Sequence, residues 1–216
     1  MDALPGQTDS SGDVLSWMTS LLSQIMATSL LEYIAVALAI AYLLLAIRQS
    51  IWCWPCALVS TAIYIYLFYD VALLSESALN VFYLVMAIYG WWQWQQGSES
   101  RPGTLLISRL ALKWHLAALA LVAVLVWVTG TQMRQHTQAD FPYLDAATTW
   151  SAVWATWLTT RKVLENWYYW LVIDFVSIGL FAHKGLILTA ALFALYVVLV
   201  VVGLRIWTRS YRAQTR

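Results

Sequence analysis

The sequence contains few charged residues. They account for 11% of its 216 residues, whereas hydrophobic residues account for 62%. A soluble domain carries roughly 25% charged residues. A chain with so little polar surface cannot cover a water-soluble globule of this size. The composition therefore predicts an integral membrane protein.

Motifs for common enzymatic chemistry are also missing. The sequence has no Walker motif, no H-E-x-x-H and no G-x-S-x-G. The first 13 residues contain no Lys or Arg, which argues against a secretory signal peptide. The only two cysteines lie in "CWPC" (53–56), and no second Cys pair or His cluster completes a metal site. We interpret these cysteines as packing residues and expect no catalysis, cofactor or metal.

Long apolar runs dominate what is present. Seven of them can cross about 30 Å of hydrocarbon as helices. The fifth run is the most polar, and its Thr and Ser residues suit a helix buried among other helices. The predicted spans are 31–47, 51–69, 77–95, 111–130, 144–160, 166–182 and 186–207.

Residues 14–30 form a different kind of segment. Apolar residues recur there at helical spacing, and Ser, Thr and Gln occupy the opposite side. This pattern predicts an amphipathic helix that lies at the membrane interface or packs on the bundle.

The basic residues are distributed unevenly between the predicted loops. One side of the membrane receives Arg134 and Lys184, and the other side receives the remaining ten Lys and Arg residues. The positive-inside rule places the richer side in the cytoplasm. The C-terminus is then cytoplasmic, and the N-terminus lies on the outer side of the membrane.

An internal repeat appears when the sequence is shifted by 113 residues. Identical residues then align without gaps, and they include Arg, Gly and two Trp residues. The aligned pairs are Arg48 with Arg161, Trp54 with Trp167, Tyr83 with Tyr196, Gly90 with Gly203, and Trp94 with Trp207. Each unit holds three spans, and this odd number alone would invert the second unit in the membrane. The fourth span lies between the units and gives both the same orientation. The repeats are therefore predicted to be parallel, with a substrate site between them, as in transporters.

This organisation divides the chain into five parts. Residues 1–30 are the tail with the amphipathic helix, and 31–94 are the first three-helix repeat. Residues 95–143 are the linker with the fourth span. Residues 144–207 are the second repeat, and 208–216 are a basic cytoplasmic tail.

Polar side chains found in only one repeat are candidates for ligand binding. In the second repeat these are Asn166, Tyr169 and Asp174. In the first repeat they are Asn80, Trp91 and Gln93, with Tyr83 on the same helical stripe as Asn80, Trp91 and Trp94.

Asp174 is the strongest of these candidates for a binding residue. It lies near the middle of "WLVIDFVSIGLF", where burying a carboxylate costs at least about 2.5–3.5 kcal/mol on insertion scales. One interpretation is a protonated Asp bonded to a neighbouring side chain. The other is a carboxylate that faces a wet cavity and meets a cation on the substrate.

The tryptophans near the membrane face also have two interpretations. An interfacial belt accounts for Trp92, Trp207 and Trp52. A polar stripe that ends in Trp91 and Trp94 instead fits a flat, cationic guest, because indole faces attract positive charge. Asn and Gln could then pair with an amide or with ribose hydroxyls.

Two motifs resemble those of the PnuC-type nicotinamide riboside transporters. "NVFYLVMAIYGWWQW" (80–94) ends in a W-x-x-W motif formed by Trp91 and Trp94. "NWYYWLVID" (166–174) matches N-x-x-Y-x-x-x-x-D through Asn166, Tyr169 and Asp174. The resemblance covers residues 31–207, and the family shares a three-plus-one-plus-three helix architecture with the SWEET sugar transporters.

The resemblance implies facilitated diffusion of nicotinamide riboside into the cell across a bacterial inner (cell) membrane, with the N-terminus periplasmic. It also implies trapping of the riboside by a separate cytoplasmic riboside kinase. It implies substrate binding by Trp91, Trp94, Asn166, Tyr169 and Asp174, with weaker candidates in the Asn80, Tyr83 and Gln93 positions. The expected partners are the riboside, the bilayer and further copies of the chain, for example in a trimer, with no nucleic acid.

Other readings are less consistent with the sequence. A SWEET-like sugar carrier, or a carrier of another nucleoside or vitamin, is the nearest alternative. A retinal protein needs a lysine inside the last span, which has none. An intramembrane enzyme would need a partner for Asp174, such as a second acid or a nucleophile. A purely structural protein would leave Asp174 unexplained.

The charge distribution yields a test of the topology. We expect a reporter that folds only in the cytoplasm to be active when fused to the C-terminus. Activity restricted to a periplasm-dependent reporter would contradict the predicted number of spans.

Overall fold

The computed structural model describes residues 30–70, 74–96, 105–137 and 140–215. Over these ranges the chain forms seven α-helices, and the only β-pairing is an isolated bridge between Ser108 and Val163. The helices are α1 (Leu30–Ile47), α2 (Cys53–Asp70), α3 (Leu74–Gln96), α4 (Leu112–His136), α5 (Pro142–Thr160), α6 (Asn166–His183) and α7 (Ile187–Gln214).

The predicted all-α architecture is confirmed, and each predicted span corresponds to one helix. Two helices extend well beyond their predicted ends: α4 continues to His136 and α7 to Gln214. Three helical stretches are long and apolar enough to cross a membrane by length and composition: Leu30–Ile47, Leu112–His136 and Thr189–Gln214. The amphipathic helix predicted over 14–30 lies outside the described residues, apart from Leu30.

Helix packing follows the predicted repeat. Within each half, consecutive helices pack on one another: α1 on α2, α2 on α3, α5 on α6, and α6 on α7. Two further contacts cross between the halves, α3 with α5 and α1 with α7. These two contacts exchange under the 113-residue offset, as a pseudo-two-fold arrangement requires. The linker helix α4 packs extensively on α5 alone among the described helices.

The first helix of each repeat ends in the same way. Gln49 and Lys162, which are 113 residues apart, both adopt a left-handed conformation, with φ of 57° and 49°. In each turn the next residue donates back five positions, from Ser50 to Leu45 and from Val163 to Leu158. This is a Schellman-type helix end, which satisfies carbonyls that the helix leaves unpaired.

Four buried tryptophans pack where the repeats meet. Trp54, Trp94, Trp167 and Trp207 are each at most 3% exposed, and we call them the tryptophan cluster. Trp54 meets Trp94 edge-on at 5.3 Å between ring centroids, and Trp167 meets Trp207 in the same way at 5.3 Å. Trp94 and Trp207 contact each other across the centre at 6.3 Å. The tryptophan cluster therefore follows the repeat, and the interfacial position predicted for Trp207 is wrong, because its ring is fully buried.

Hydrogen bonds from the tryptophan cluster cross between the repeats. The Trp94 indole N–H donates to the Thr160 carbonyl at 3.1 Å, at the end of α5. The Trp207 indole N–H donates to the carbonyls of Ala46 and Ile47, at the end of α1. Each repeat thus caps carbonyls at the first helix of the other repeat.

Two glycines make room for the tryptophan cluster. A Cβ placed on Gly203 would lie 2.5 Å from the Trp167 ring, and a Cβ on Gly90 would overlap the Trp54 ring. The absence of a side chain at these positions allows the last helix of each repeat to approach the indole.

We expect Gly203→Ala to destabilise the fold by about 1–3 kcal/mol, the usual cost of overpacking. The matched control is Gly179→Ala, because no atom lies within 4 Å of the added Cβ there. Thermal unfolding in detergent would compare the two variants. Equal melting temperatures would contradict the tight packing at Gly203.

Candidate functional site

A cavity of about 330 Å³ lies between the two repeats. Helices α1, α2 and α3 form one wall, and α5, α6 and α7 form the other. Its polar and aromatic lining residues are Tyr42, Trp54, Ser60, Thr61, Tyr64, Tyr83, Thr156, Thr159, Asn166, Trp167, Trp170, Asp174, Phe193 and Tyr196. The volume is within the range of about 300–1,000 Å³ that is usual for small-molecule sites.

The cavity wall is only partly symmetric between the repeats. Trp54 and Trp167 line it as a pair, and Tyr83 and Tyr196 line it as a second pair. Both indoles of the first pair also belong to the tryptophan cluster, which therefore closes one end of the cavity. At other aligned positions the repeats differ, and Asp174 stands where the first repeat has Thr61.

Asp174 lies in the middle of α6 and is 4% exposed. Its carboxylate forms no hydrogen bond or ion pair with any described residue, and the described residues that line the cavity include no Lys or Arg. A buried carboxylate without a partner is unfavourable in a medium of low dielectric constant. The site is therefore suited to a guest that brings a positive charge or hydroxyl donors.

Asn166 begins α6 at the end of the cavity near the tryptophan cluster. Its Nδ2 donates to the Val163 carbonyl at 2.6 Å, and its Oδ1 lies 3.3 Å from the Thr159 hydroxyl. That hydroxyl also reaches the Ala155 carbonyl at 2.9 Å, and it can donate to only one acceptor at a time. When it donates to Ala155, the Asn166 Oδ1 is available to a guest.

Trp170 completes this polar group. Its indole N–H donates to the Thr159 hydroxyl at 3.3 Å, while its ring lines the cavity. The aligned residue of the first repeat is Ala57, so this aromatic surface exists on one side only. An indole face held in place by a hydrogen bond can stack on a flat ring.

Only some of the residues predicted from sequence line the cavity. Asn166, Asp174 and Tyr83 do so.

The other predicted residues lie elsewhere. Trp94 belongs to the tryptophan cluster, and Trp91 packs half-buried beside it. The Tyr169 hydroxyl lies 3.0 Å from His115 Nδ1, so this side chain faces the linker helix. Asn80 is buried outside the cavity lining, and Gln93 is partly exposed near the end of α3. A role for these residues in binding stays a prediction.

Sequence reasoning missed most of the aromatic lining. Trp170, Tyr42, Tyr64 and Phe193 were not among the candidates, although they line the cavity. A signal for Trp170 was available, because it is a large side chain aligned with Ala57. The aligned pair Trp54 and Trp167 is predicted from sequence only as part of the repeat, and it serves as both scaffold and cavity wall.

An extended part of the linker covers the turn next to the tryptophan cluster. The Ser108 backbone exchanges hydrogen bonds with Lys162 and Leu164, and Arg109 Nε donates to Glu165 at 2.7 Å. The Lys162 ammonium donates to the Leu105 carbonyl at 3.0 Å and lies 4.3 Å from the centre of the Trp94 ring. Burial lowers the pKa of Lys162 to about 8.

Comparison with known proteins identifies the family of this chain, and the similar proteins are all transporters. The profile described as "Nicotinamide mononucleotide transporter" matches residues 29–209. The riboflavin/roseoflavin transporter RibM of Streptomyces davaonensis is 26% identical over 182 residues, covering 83% of this chain and 84% of that protein. The nicotinamide riboside transporter PnuC of Escherichia coli is 27% identical over 179 residues, covering 72% and 75%.

A solved structure shares the fold. The crystal structure of the vitamin B3 transporter PnuC matches with a TM-score of 0.68 and 20% identity, covering 97% of this chain and 95% of that one. At this identity the similarity supports the arrangement of the helices.

The matched positions of Trp94 and Trp207 generate a test of their roles. We expect Trp94→Phe and Trp207→Phe to lower stability by similar amounts, about 1–3 kcal/mol, because each leaves a buried carbonyl without its donor. Thermal unfolding and ligand titration of both variants would measure the effect. Loss of binding at Trp94 alone, with unchanged stability, would instead indicate direct contact with the ligand.

Proposed function

The chain belongs to the nicotinamide mononucleotide transporter family, and from this premise we propose that it carries nicotinamide riboside across the membrane by facilitated diffusion. At the coarser level it is a multi-pass membrane protein and a vitamin transporter. The choice of the riboside is the finer proposal, and it rests on the chemistry of the cavity.

The unpaired Asp174 carboxylate is the observation that carries this proposal. Nicotinamide riboside has a positively charged pyridinium ring, and Asp174 is the one charged residue among the described residues that line the cavity. The indole and phenol rings of the wall would stack on the pyridinium or attract its charge, at about 0.5–2 kcal/mol per contact. The Asn166 amide suits the carboxamide or the ribose hydroxyls.

The same cavity disfavours the phosphorylated form. A phosphate placed beside Asp174 would meet a like charge, and no Lys or Arg of the described lining would offset it. Removing such an anion from water without a counter-charge is costly. We therefore favour the riboside over the mononucleotide that the family description names.

Riboflavin is the second candidate, because one relative is a riboflavin/roseoflavin transporter with similar identity. The aromatic wall would accept a flavin ring, but a neutral flavin would leave Asp174 without a counter-charge. A sugar carrier is less consistent with the cavity, since a hexose has neither a flat ring nor a charge.

The proposed route needs no energy source within the chain. The sequence has no nucleotide-binding motif, and phosphorylation by a separate cytoplasmic kinase would trap the riboside after entry. We place the protein in the bacterial cell membrane with the C-terminus in the cytoplasm. A homo-oligomer such as a trimer stays part of the proposal.

We expect Asp174→Asn to weaken binding of the cationic riboside by about 2–4 kcal/mol, because the ring would lose its counter-charge in a site of low dielectric constant. Binding of the neutral reduced riboside should fall by about 1 kcal/mol or less, since Asn still accepts a hydrogen bond. Calorimetric titration of purified protein would measure both.

The control for this titration is Asp70→Asn, which removes an exposed carboxylate at the end of α2. It should leave both affinities unchanged. The ligand panel should include the mononucleotide and riboflavin with the wild-type protein. Unchanged binding of the cationic riboside in Asp174→Asn, or tighter binding of riboflavin by the wild type, would overturn the proposal.

A further inference from the structure

A second cavity, of about 500 Å³, lies away from the first one, between α3, α4 and α5. Among the described helices, α4 packs extensively on α5 alone, while α3 also packs on α5. The two outer helices therefore leave a groove between them, with α5 as its floor. Phe82 and Met86 of α3, Ala118 and Leu121 of α4, and Val153 and Trp157 of α5 line this groove.

The groove is suited to hydrocarbon. Every side chain that lines it is aliphatic or aromatic, and none carries a charge. Several of its α4 residues are open to the outside of the bundle: Trp114 is 57% exposed and Leu121 is 60% exposed. Because α4 is one of the helices apolar enough to span a membrane, this face of the groove is turned toward lipid.

Two cationic side chains lie at one end of the groove. α4 begins where α5 ends, so Lys113 and Arg161 lie at the same end of the bundle. The Lys113 ammonium lies 5.8 Å from the centre of the Trp114 ring, and the Arg161 guanidinium lies 5.6 Å from the centre of the Trp157 ring. Both rings line the groove. The apolar groove thus ends at a positively charged rim.

The rim charge is not neutralised by the described part of the protein. The ion pairs among the described residues join Arg109 to Glu165 and Lys184 to Asp145. Lys113 and Arg161 are both exposed and form no ion pair with a described carboxylate, although Arg161 donates to the Tyr89 hydroxyl at 3.0 Å. Guanidinium and ammonium groups at the membrane surface are the usual partners of lipid phosphates.

We propose that this groove binds one anionic phospholipid, with an acyl chain between α3 and α4 and its phosphate at Lys113 and Arg161. The proposal commits to a lipid rather than to a second copy of the chain because of this charge complementarity. A second copy would have to bring its own carboxylate to the rim, whereas an anionic lipid carries both the hydrocarbon and the negative charge.

A bound lipid would also fill the gap that α4 leaves beside the first repeat. Within the described residues α4 is held to α5, and to α6 through the contact of His115 with Tyr169. The lipid would connect α4 to α3. This site is separate from the transport cavity and does not depend on the identity of the transported vitamin.

The test is native mass spectrometry of the whole protein titrated with phosphatidylglycerol or with phosphatidylcholine of identical chains. At about fivefold for each of the two cations, the wild type should bind phosphatidylglycerol about 25-fold more tightly than phosphatidylcholine. The double variant Lys113→Gln/Arg161→Gln should reduce this preference to about twofold or less. The control Arg205→Gln/Arg212→Gln removes two exposed arginines near the end of α7 and should keep the preference.

A second pair of variants tests the groove itself. Ala118→Phe fills the groove and should weaken binding of both lipids at least about fivefold, as expected for displaced apolar contact. Ala120→Phe, on an exposed face of the same helix outside the groove lining, should not. Equal lipid preference in the wild type and Lys113→Gln/Arg161→Gln would overturn the proposal. So would a change of oligomeric state in Ala118→Phe with unchanged lipid binding, which would assign the groove to a second copy.

Discussion

The exchange of hydrogen bonds by Trp94 and Trp207 holds the two repeats together. Each indole donates to carbonyls at the end of the first helix of the opposite repeat. Those carbonyls lie at Schellman-type ends, where Gln49 and Lys162 reverse the chain. In a bundle with little polar surface, a buried carbonyl without a donor is costly. The pairing of the repeats, the helix ends and the floor of the cavity therefore depend on the same contacts.

This constraint separates the residues that build the scaffold from those that can vary. The tryptophan cluster and its two glycines are duplicated because each copy supports the other. The cavity beside the cluster is free of that requirement. Asp174 and the aligned Thr61 can therefore differ without disturbing the paired contacts of the scaffold. Burial of the Asp174 carboxylate is unfavourable because it loses hydration, and a cationic guest would compensate for that loss.

Much of the fold could be predicted from sequence, because hydrophobic runs determine helices and the 113-residue offset determines their pairing. The residues of the candidate site were harder to predict. A stripe along α3 identifies the inward face of that helix, but two residues on this face have different surroundings. Trp94 packs in the tryptophan cluster, whereas Tyr83 lines the cavity. Tyr169 shares a helix turn with Asn166, yet it faces α4. Helical periodicity gives the direction of a side chain within one helix, whereas its neighbour depends on how the helices cross.

The asymmetry of the cavity bears directly on how it can recognise a guest. A nucleoside or a vitamin has no two-fold symmetry, so paired walls such as Trp54 with Trp167 offer it two equivalent orientations. Only residues that differ between the repeats can favour one of them. Asn166, Trp170 and Asp174 all lie on α6 of the second repeat, while the aligned residues of the first repeat are Cys53, Ala57 and Thr61. Among the described lining residues, α6 therefore supplies the carboxylate and the amide that can orient the guest, and the duplicated framework supplies the enclosure around them.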